Sequence, residues 1–252
     1  MTPTSASDPL SRVARACEHL RNGRFVAVYD ADGREEETDL FVAAEHVTPD
    51  AIRVLRSDAG GLVFLAVHAD IGKKLGLPFL QDLFADAAAK YPVLKELIPN
   101  DIRYDTRSSF SLTLNHRKTF TGITDNDRAL TISEFANVSE AAAKLPDAEA
   151  RRLFGESFRA PGHVHLCVAT DRLLETRQGH TELGVALAVM AGVVPVLAGA
   201  EMMGRGIALP KAEAQAYAAK NGASYLEGKD ILAAWAKFKE GQADWLAQPT
   251  AP

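Results

Sequence analysis

The chain has 252 residues, of which 47% are hydrophobic and 24% charged, and its formal net charge is -5 at pH 7. This length and apolar content predict one globular domain with a sizeable core. The negative charge argues against a nucleic-acid binder that relies on bulk electrostatics. The two cysteines, Cys17 and Cys167, are too few for a disulfide framework or a four-cysteine metal site. We therefore expect a cytoplasmic protein in a reducing environment.

The hydrophobic pattern predicts no membrane span. The longest apolar stretch, Leu183 to Ala200, is interrupted by glycines and a proline, so it is predicted to be a buried helix followed by a buried strand. Residues 1–9 have neither the basic nor the apolar region of a secretory signal, and we expect them to be disordered. We expect residues 241–252 to form a loose tail, with residues 10–240 as a single folded domain.

In the first half of the chain, apolar residues from Leu10 to Leu20 recur at helical spacing, and Gly23 is a plausible end signal. The apolar run Phe25–Tyr29 predicts a buried strand, and Asp30–Gly33 a turn. The remaining predictions in this half are a helix that Thr48 and Pro49 begin, a buried strand over Gly61–Val67, and a strand in which Phe110, Leu112 and Leu114 alternate with Ser111 and Thr113.

The second half continues the alternation of helices and strands. Strands are predicted over Val164–Val168 and Val193–Ala198, and helices over Thr181–Ala191, Pro210–Asn221 and Lys229–Lys239. This mixture predicts one α/β or α+β domain, although periodicity does not give the strand order.

The densest unusual segment, Asp30 to Asp39, carries six carboxylates and one arginine directly after an apolar strand. It is either a solvated charged loop or a site for a hard divalent cation, because carboxylate oxygens suit Mg2+ and Mn2+. In the second case Arg34 would reduce the repulsion or bind an anionic substrate.

Two further segments carry polar groups on predicted turns. His163 follows Pro161-Gly162 at the entry to a strand, where it is either structural or held over a cleft. The segment Thr119–Arg128 is either an ordinary turn or a source of hydroxyl and N–H groups for an anion.

An arginine, a glycine and a helix start converge in Arg177–Glu182. This combination suits a phosphate, through bidentate arginine contacts and free N–H groups, but it also fits an ordinary helix start with Thr181 as the cap. Glu201 ends an apolar strand, where a partly desolvated carboxylate can transfer protons or pair with a basic side chain. Together the segments predict a site for a metal and a phosphorylated small molecule, with a histidine and a glutamate as proton carriers.

Four segments, in this order, resemble the motifs of the 3,4-dihydroxy-2-butanone 4-phosphate synthase family of riboflavin biosynthesis. They are Arg34-Glu-Glu-Glu-Thr-Asp-Leu40, Thr121-Gly122 with Asp127-Arg128, Phe158-Arg-Ala-Pro-Gly-His163 and Arg177-Gln-Gly-His-Thr-Glu182. Thr38 and the stretch Arg107-Ser-Ser-Phe-Ser are similar to the archaeal-type branch. The length leaves no room for a fused GTP cyclohydrolase II domain, so a monofunctional enzyme is expected.

The resemblance implies a lyase that converts D-ribulose 5-phosphate to L-3,4-dihydroxy-2-butanone 4-phosphate and formate. It implies one α+β domain with a mixed sheet and helices packed around it, Mg2+ or Mn2+ with two ions per site, and no organic cofactor. It also implies a homodimer with active sites at the subunit interface, and neither nucleic acid nor membrane as a partner.

The resemblance also assigns roles to individual residues. Glu35 and His180 would bind the metal, and both would also contact the substrate. His163 and Glu201 would transfer protons, and Asp30 matches a further acidic position of the catalytic site. Arg34 and Asp39 would contact the sugar. The expected phosphate contacts are Arg177, Gln178, Gly179, His180 and Thr181, with Thr121 as a helper.

Two departures from the family pattern lie near the expected substrate site. Phe64 stands where the family usually has a cysteine, and the segment after Glu201 is shortened to Met202-Met-Gly-Arg-Gly206. These departures keep two alternatives open. One is a diverged homologue that makes a different product from ribulose 5-phosphate or a related ketose phosphate, and the other is a non-catalytic dimer that binds a sugar phosphate.

Overall fold

The computed structural model describes residues 8–247, so the predictions for residues 1–7 and 248–252 lie outside the described residues. The strands are β1 Val26–Tyr29, β2 Thr38–Ala43, β3 Phe64–Val67, β4 Phe110–His116, β5 Phe158–Val168, β6 Val196–Glu201 and β7 Ser224–Glu227. The helices are α1 Pro9–Arg21, α2 Pro49–Val54, α3 Ala69–Leu75, α4 Leu80–Ala87, α5 Val93–Glu96, α6 Asp125–Ala143, α7 Asp147–Ser157, α8 His180–Ala191, α9 Lys211–Asn221 and α10 Gly228–Lys239.

The seven strands form one mixed sheet in the order β4-β5-β3-β6-β2-β1-β7. The pairs β1–β7 and β3–β5 are parallel, and the other four pairs are antiparallel. Helices cover the sheet on both sides, which confirms the expected α+β fold with a mixed sheet and surrounding helices.

The core has two layers, one on each face of the sheet. Because side chains alternate across a strand, Phe64 and Ala66 pack under α1, α8 and α10, whereas Leu65 and Val67 pack on the side of α2, α6 and α7. Burial on both faces explains why the central strands are nearly continuous apolar runs rather than alternating ones.

Several local signals predicted from the sequence are confirmed. The Thr48 hydroxyl accepts a hydrogen bond from the Ala51 N–H at 3.2 Å at the start of α2. Gly192 and Gly222 end α8 and α9 in the left-handed conformation, with φ of 69° and 66°. Near the end of the described chain, Trp245 and Leu246 pack partly buried against the core on the side of α1.

The prediction for the strand that begins at Phe110 is wrong in one respect. Phe110 is 44% exposed, whereas the neighbouring Ser111 is buried. The pairing of β4 with β5 shifts register between Phe110 and Thr113, and this irregularity reverses which side chain faces the core. No helix among residues 8–247 is both long and apolar enough to span a membrane.

Candidate active site

A cleft of about 420 Å³ opens where β2 begins and β6 ends. It lies beside the first turn of α8, so it combines strand ends with a helix N-terminus. Seven of the residues predicted for the site line it: Arg34, Glu35, Asp39, Arg177, His180, Thr181 and Glu201.

The acidic loop between β1 and β2 folds around the carboxylate of Asp30. This buried side chain accepts hydrogen bonds from the N–H groups of Glu35 at 3.0 Å and Glu37 at 3.2 Å, and from the Arg34 guanidinium at 3.0 Å. The loop is therefore ordered around one internal anion, and Glu35 lies in the cleft. Only the outer carboxylates of the loop, such as Glu36, are exposed, as expected for a solvated charged loop.

His180 is the first residue of α8 and is buried between the carboxylates of this loop. Its Nε2 donates to the carbonyl oxygen of Glu37 at 3.1 Å, and its Nδ1 lies 3.3 Å from Oε2 of Glu35. Burial by itself lowers the pKa of His180, but the charges of Asp39, Glu35 and Asp30 outweigh burial and raise this pKa to about 9.

Asp39 and Glu201 are register partners across β2 and β6. Burial raises the pKa of Asp39, and the positive charge of His180 offsets the desolvation only in part. Oδ1 of Asp39 is buried and has no hydrogen-bond partner among the described residues. Glu201 is held by its Oε2, which accepts a hydrogen bond of 2.7 Å from the Leu62 N–H.

These side chains fit a hard divalent cation. Asp30, Glu35 and His180 each offer one ligand atom, and the three atoms lie within 4.8 Å of one another. The hydrogen bond from Nε2–H of His180 to a carbonyl orients the ring so that Nδ1 faces Glu35, and a cation bound at Nδ1 would displace the proton that this nitrogen carries. Oδ1 of Asp39, which has no hydrogen-bond partner among the described residues, lies 3.8 Å from Nε2 of the same histidine.

The basic side of the cleft consists of Arg34 and Arg177. Both guanidinium groups bind the carboxylate of Asp105, Arg34 at 2.7 Å and the Nε of Arg177 at 2.9 Å. Arg177 also donates to Glu182, a fully buried residue that accepts a second hydrogen bond from the Thr170 N–H. Arg177 is thus fixed by two carboxylates on opposite sides.

The start of α8 differs from the predicted cap. Gly179, not Thr181, is the N-cap residue, and Thr181 lies buried within the first turn. A Cβ atom on Gly179 would overlap the guanidinium of Arg177, so the glycine permits the arginine to fold back over the helix start. Gln178 is exposed.

His163 and Thr121 lie in a second region of the structure, away from the cleft. Neither is among the described residues that line the cleft. The N–H of His163 donates to Oδ1 of Asn115 at 2.8 Å, and its Nδ1 lies 3.1 Å from Nδ2 of the same amide. The N–H groups of Thr121 and Gly122 donate to Asp127 at 3.2 and 2.8 Å. Within one chain, therefore, the predicted site residues form two groups.

Glu37, Asp105 and Glu182 form hydrogen bonds with predicted site residues but were not themselves predicted. Glu37 and Glu182 belong to motifs that the sequence already singled out. Asp105 lies two residues before the Arg107-Ser-Ser-Phe-Ser stretch, and this proximity was the available signal.

Comparison with known proteins agrees with this site. The sequence profile of the 3,4-dihydroxy-2-butanone 4-phosphate synthase family matches residues 14–234. The chain belongs to this family of enzymes. Among curated synthases, that of Methanothermobacter thermautotrophicus is 44% identical over 229 residues, which span 90% of this chain and 97% of the relative. The synthase of Archaeoglobus fulgidus is 44% identical over 224 residues, or 88% and 92% of the two chains.

Solved structures of synthases have the same fold. A crystal structure of 3,4-dihydroxy-2-butanone 4-phosphate synthase in complex with two magnesium ions superimposes with a TM-score of 0.68 at 26% identity, and the match covers 91% of this chain and 98% of that one. The synthase of Candida albicans gives a TM-score of 0.66 at 25% identity, with 88% and 95% coverage. The relatives confirm the family resemblance, including its archaeal members.

Proposed function

We propose that this synthase-family chain converts D-ribulose 5-phosphate to L-3,4-dihydroxy-2-butanone 4-phosphate and formate. The observation that carries the proposal is the meeting of Asp30, Glu35 and His180 with Glu201 and two arginines in one cleft. The synthase names of relatives that are 44% identical favour this reaction over a diverged one or a binding role.

The proposed cofactor is a divalent cation, Mg2+ or Mn2+, held by Glu35 and His180 with Asp30 beside them, and two ions per site are proposed. One structural relative is described in complex with two magnesium ions. When bound, such ions supply electrostatic stabilisation of the negative charge that develops on the substrate oxygens. The products together contain all atoms of the substrate, so the reaction consumes no oxidant or reductant and the proposal includes no organic cofactor.

Some residues of the cleft bind the substrate, and Glu201 transfers a proton. Arg177, Thr181 and the N–H groups at the start of α8 bind the phosphate, with Gly179 and Gln178 shaping this turn. Arg34 and Asp39 contact the sugar. Glu201 moves a proton next to the ketone, and the 2.7 Å hydrogen bond from the Leu62 N–H keeps its carboxylate at a constant position.

The second proton carrier comes from a second copy of the chain in this proposal. His163 and Thr121 lie outside the cleft, and the loop that carries Thr121 also carries Phe120, which is 94% exposed. Ile123 of the same loop is 50% exposed, and neighbouring exposed apolar side chains are typical of an interface. We therefore propose a homodimer in which one copy brings His163 and Thr121 to the cleft of the other.

The cellular compartment is proposed from the thiols. Cys17 and Cys167 are free and buried, as expected for a chain that works under reducing conditions. This supports a cytoplasmic location.

The reaction is tested by carbon-13 NMR with labelled ribulose 5-phosphate. Formate and a four-carbon ketose phosphate are expected together, with Mg2+ present and not with EDTA. Glu201→Gln, which keeps the shape and the hydrogen bond but removes the base, is expected to slow turnover by about a hundredfold or more. The control Glu213→Gln changes an exposed glutamate of α9 and is expected to be neutral. Substrate consumption without formate, or full turnover by Glu201→Gln, would contradict the proposal.

The dimer is tested by mixing two inactive variants, His163→Ala and Glu35→Gln. If each site combines residues of two copies, random mixed dimers contain one intact site, and a 1:1 mixture regains about a quarter of wild-type activity. A mixture as inactive as its components would show that both residues act from the same copy.

A further inference from the structure

The contact between Asp105 and the two arginines of the cleft joins segments that are distant in sequence. Asp105 lies in the connection from α5 to β4, residues 97–109, which we call the strap. Its Oδ2 accepts hydrogen bonds from Arg34 at 2.7 Å and from Nε and Nη2 of Arg177 at 2.9 and 2.5 Å. The side chain is only 10% exposed, so these charge-assisted bonds are largely shielded from solvent.

One oxygen of Asp105 thus receives three N–H donors from two guanidinium groups. This is also how arginines bind the oxygen of a phosphate group, with parallel N–H donors directed at an anionic oxygen. The same two arginines face the substrate in the function proposed above. A phosphate and the Asp105 carboxylate therefore compete for the same donors.

The strap is also held by a hydrogen bond of 2.9 Å from the Val168 N–H to the Ser109 carbonyl oxygen and by Arg107, whose guanidinium stacks on Phe79 at 3.8 Å from the ring centroid. Its other contacts lie at the surface. Tyr104 is 51% exposed and has its ring under the Arg34 guanidinium, 5.4 Å from the ring centroid. Arg107 forms an ion pair of 2.9 Å with Asp82, and both side chains are exposed to solvent. Segments with so little buried apolar contact open at low free-energy cost.

We propose that Asp105 is an internal substitute for the substrate phosphate, and that Asp105 leaves Arg177, and with it Arg34, when a phosphate binds Arg177. This inference rests on the proposed function only in placing a phosphate at Arg177. A consequence is selectivity: a ligand must outcompete a built-in carboxylate, so a phosphate dianion binds where a carboxylate monoanion does not. Asp105 would thus favour sugar phosphates over sugar acids.

The first test measures the binding of inorganic phosphate by calorimetry in EDTA, with wild type, Asp105→Asn and Asp101→Asn. Asp101 is exposed on the same strap, and its substitution removes the same charge, which makes it the matched control. Asp105→Asn is expected to tighten phosphate binding about tenfold or more, because apparent affinity rises when a competing closed state is removed. Asp101→Asn is expected to bind like wild type.

Unchanged or absent phosphate binding in Asp105→Asn would overturn the proposal. Weaker binding would overturn it too, since Asp105 would then position the arginines rather than occupy them. The same variants with acetate test the selectivity: acetate binding is expected to appear only in Asp105→Asn.

The second test follows amide hydrogen exchange of residues 99–109 in the wild-type protein and in Asp105→Asn. Phosphate is expected to speed exchange in the strap, and Asp105→Asn is expected to exchange rapidly without phosphate. Slower or unchanged exchange on phosphate addition would overturn the release of the strap. Neither test requires turnover. If the protein makes formate but fails both tests, only this inference is wrong. If it passes both tests but makes no formate, only the proposed reaction is wrong.

Discussion

Gly61 lies against Glu201 so closely that no side chain fits between them. A Cβ atom on Gly61 would overlap Oε2 of Glu201 and lie 2.6 Å from its carbonyl oxygen. The Gly61 N–H donates to this same carbonyl at 2.9 Å, and the next N–H, of Leu62, donates to the Glu201 carboxylate. A glycine at position 61 is thus what allows the backbone to hold the proposed proton carrier at two points.

The first prediction follows from this contact. Gly61→Ala is expected to shift the Glu201 carboxylate. Turnover should fall by about a hundredfold, because a displacement of about 1 Å disturbs the reacting geometry. The overlap should also lower the free energy of unfolding by about 1–3 kcal/mol. Rates of formate release and urea unfolding measure the two effects. The control is Gly155→Ala in α7, where an added Cβ meets no atom within 4 Å. A Gly61→Ala protein as active as wild type would show that the position of Glu201 does not matter.

The second prediction concerns the metal. Saturating Mg2+ is expected to stabilise the protein by about 2.7 kcal/mol when the free ion is about a hundred times its dissociation constant. For a chain of this size that corresponds to a rise of about 5–10 °C in the unfolding temperature. EDTA should remove the rise, as should Glu35→Gln.

Glu36→Gln serves as the control for the metal prediction. It removes the same charge from the same loop, but Glu36 is exposed and its carboxylate accepts the Gly33 N–H instead of facing His180. This variant should keep the Mg2+-dependent rise. If both variants lose the Mg2+-dependent rise in unfolding temperature equally, ion binding depends on the net charge of the loop and not on Glu35 itself.

The third prediction concerns Phe64, which we expect to stand where the family usually has a cysteine. Its ring packs edge to face on Phe41, with centroids 6.0 Å apart, and the side chain is buried. Phe64→Cys is therefore expected to leave a cavity and to lower the free energy of unfolding by about 3 kcal/mol. Phe84→Cys, at an exposed position of α4, is expected to cost less than about 1 kcal/mol. Equal urea midpoints for the two variants would refute the core role of Phe64.

The fourth prediction concerns the thiols. Burial raises the pKa of Cys17 to about 12 and raises the pKa of Cys167 as well. A raised pKa keeps a thiol protonated at pH 8, and the thiolate is the reactive form. The native protein is therefore expected to leave both thiols unlabelled by a disulfide reagent at pH 8, and the unfolded protein in guanidinium to label both. Cys167 lines the cleft, so rapid labelling of this thiol in the native protein would mean that the wall of the cleft opens to solvent.

The sequence by itself determined the local features of this protein. The helix start at Thr48, the helix ends at Gly192 and Gly222, and the acidic loop all follow from interactions between residues a few positions apart. Such interactions depend only on which residue types follow one another along the chain, so they can be predicted without knowing the strand order of the sheet. The same holds for the family, because its motifs are short and their order along the chain is specific.

Only the tertiary structure decided how these pieces meet. The pairing of Asp39 with Glu201 depends on the strand order, which periodicity does not contain. The contact of Asp105 with Arg177 joins residues 72 positions apart, and nothing local to Asp105 marks it as a partner. His163, predicted to transfer protons together with Glu201, lies with Asn115 outside the cleft of its own chain. The physical reason is that a residue pattern indicates which face of an element is buried, whereas the packing of whole elements sets the distances between side chains that act together.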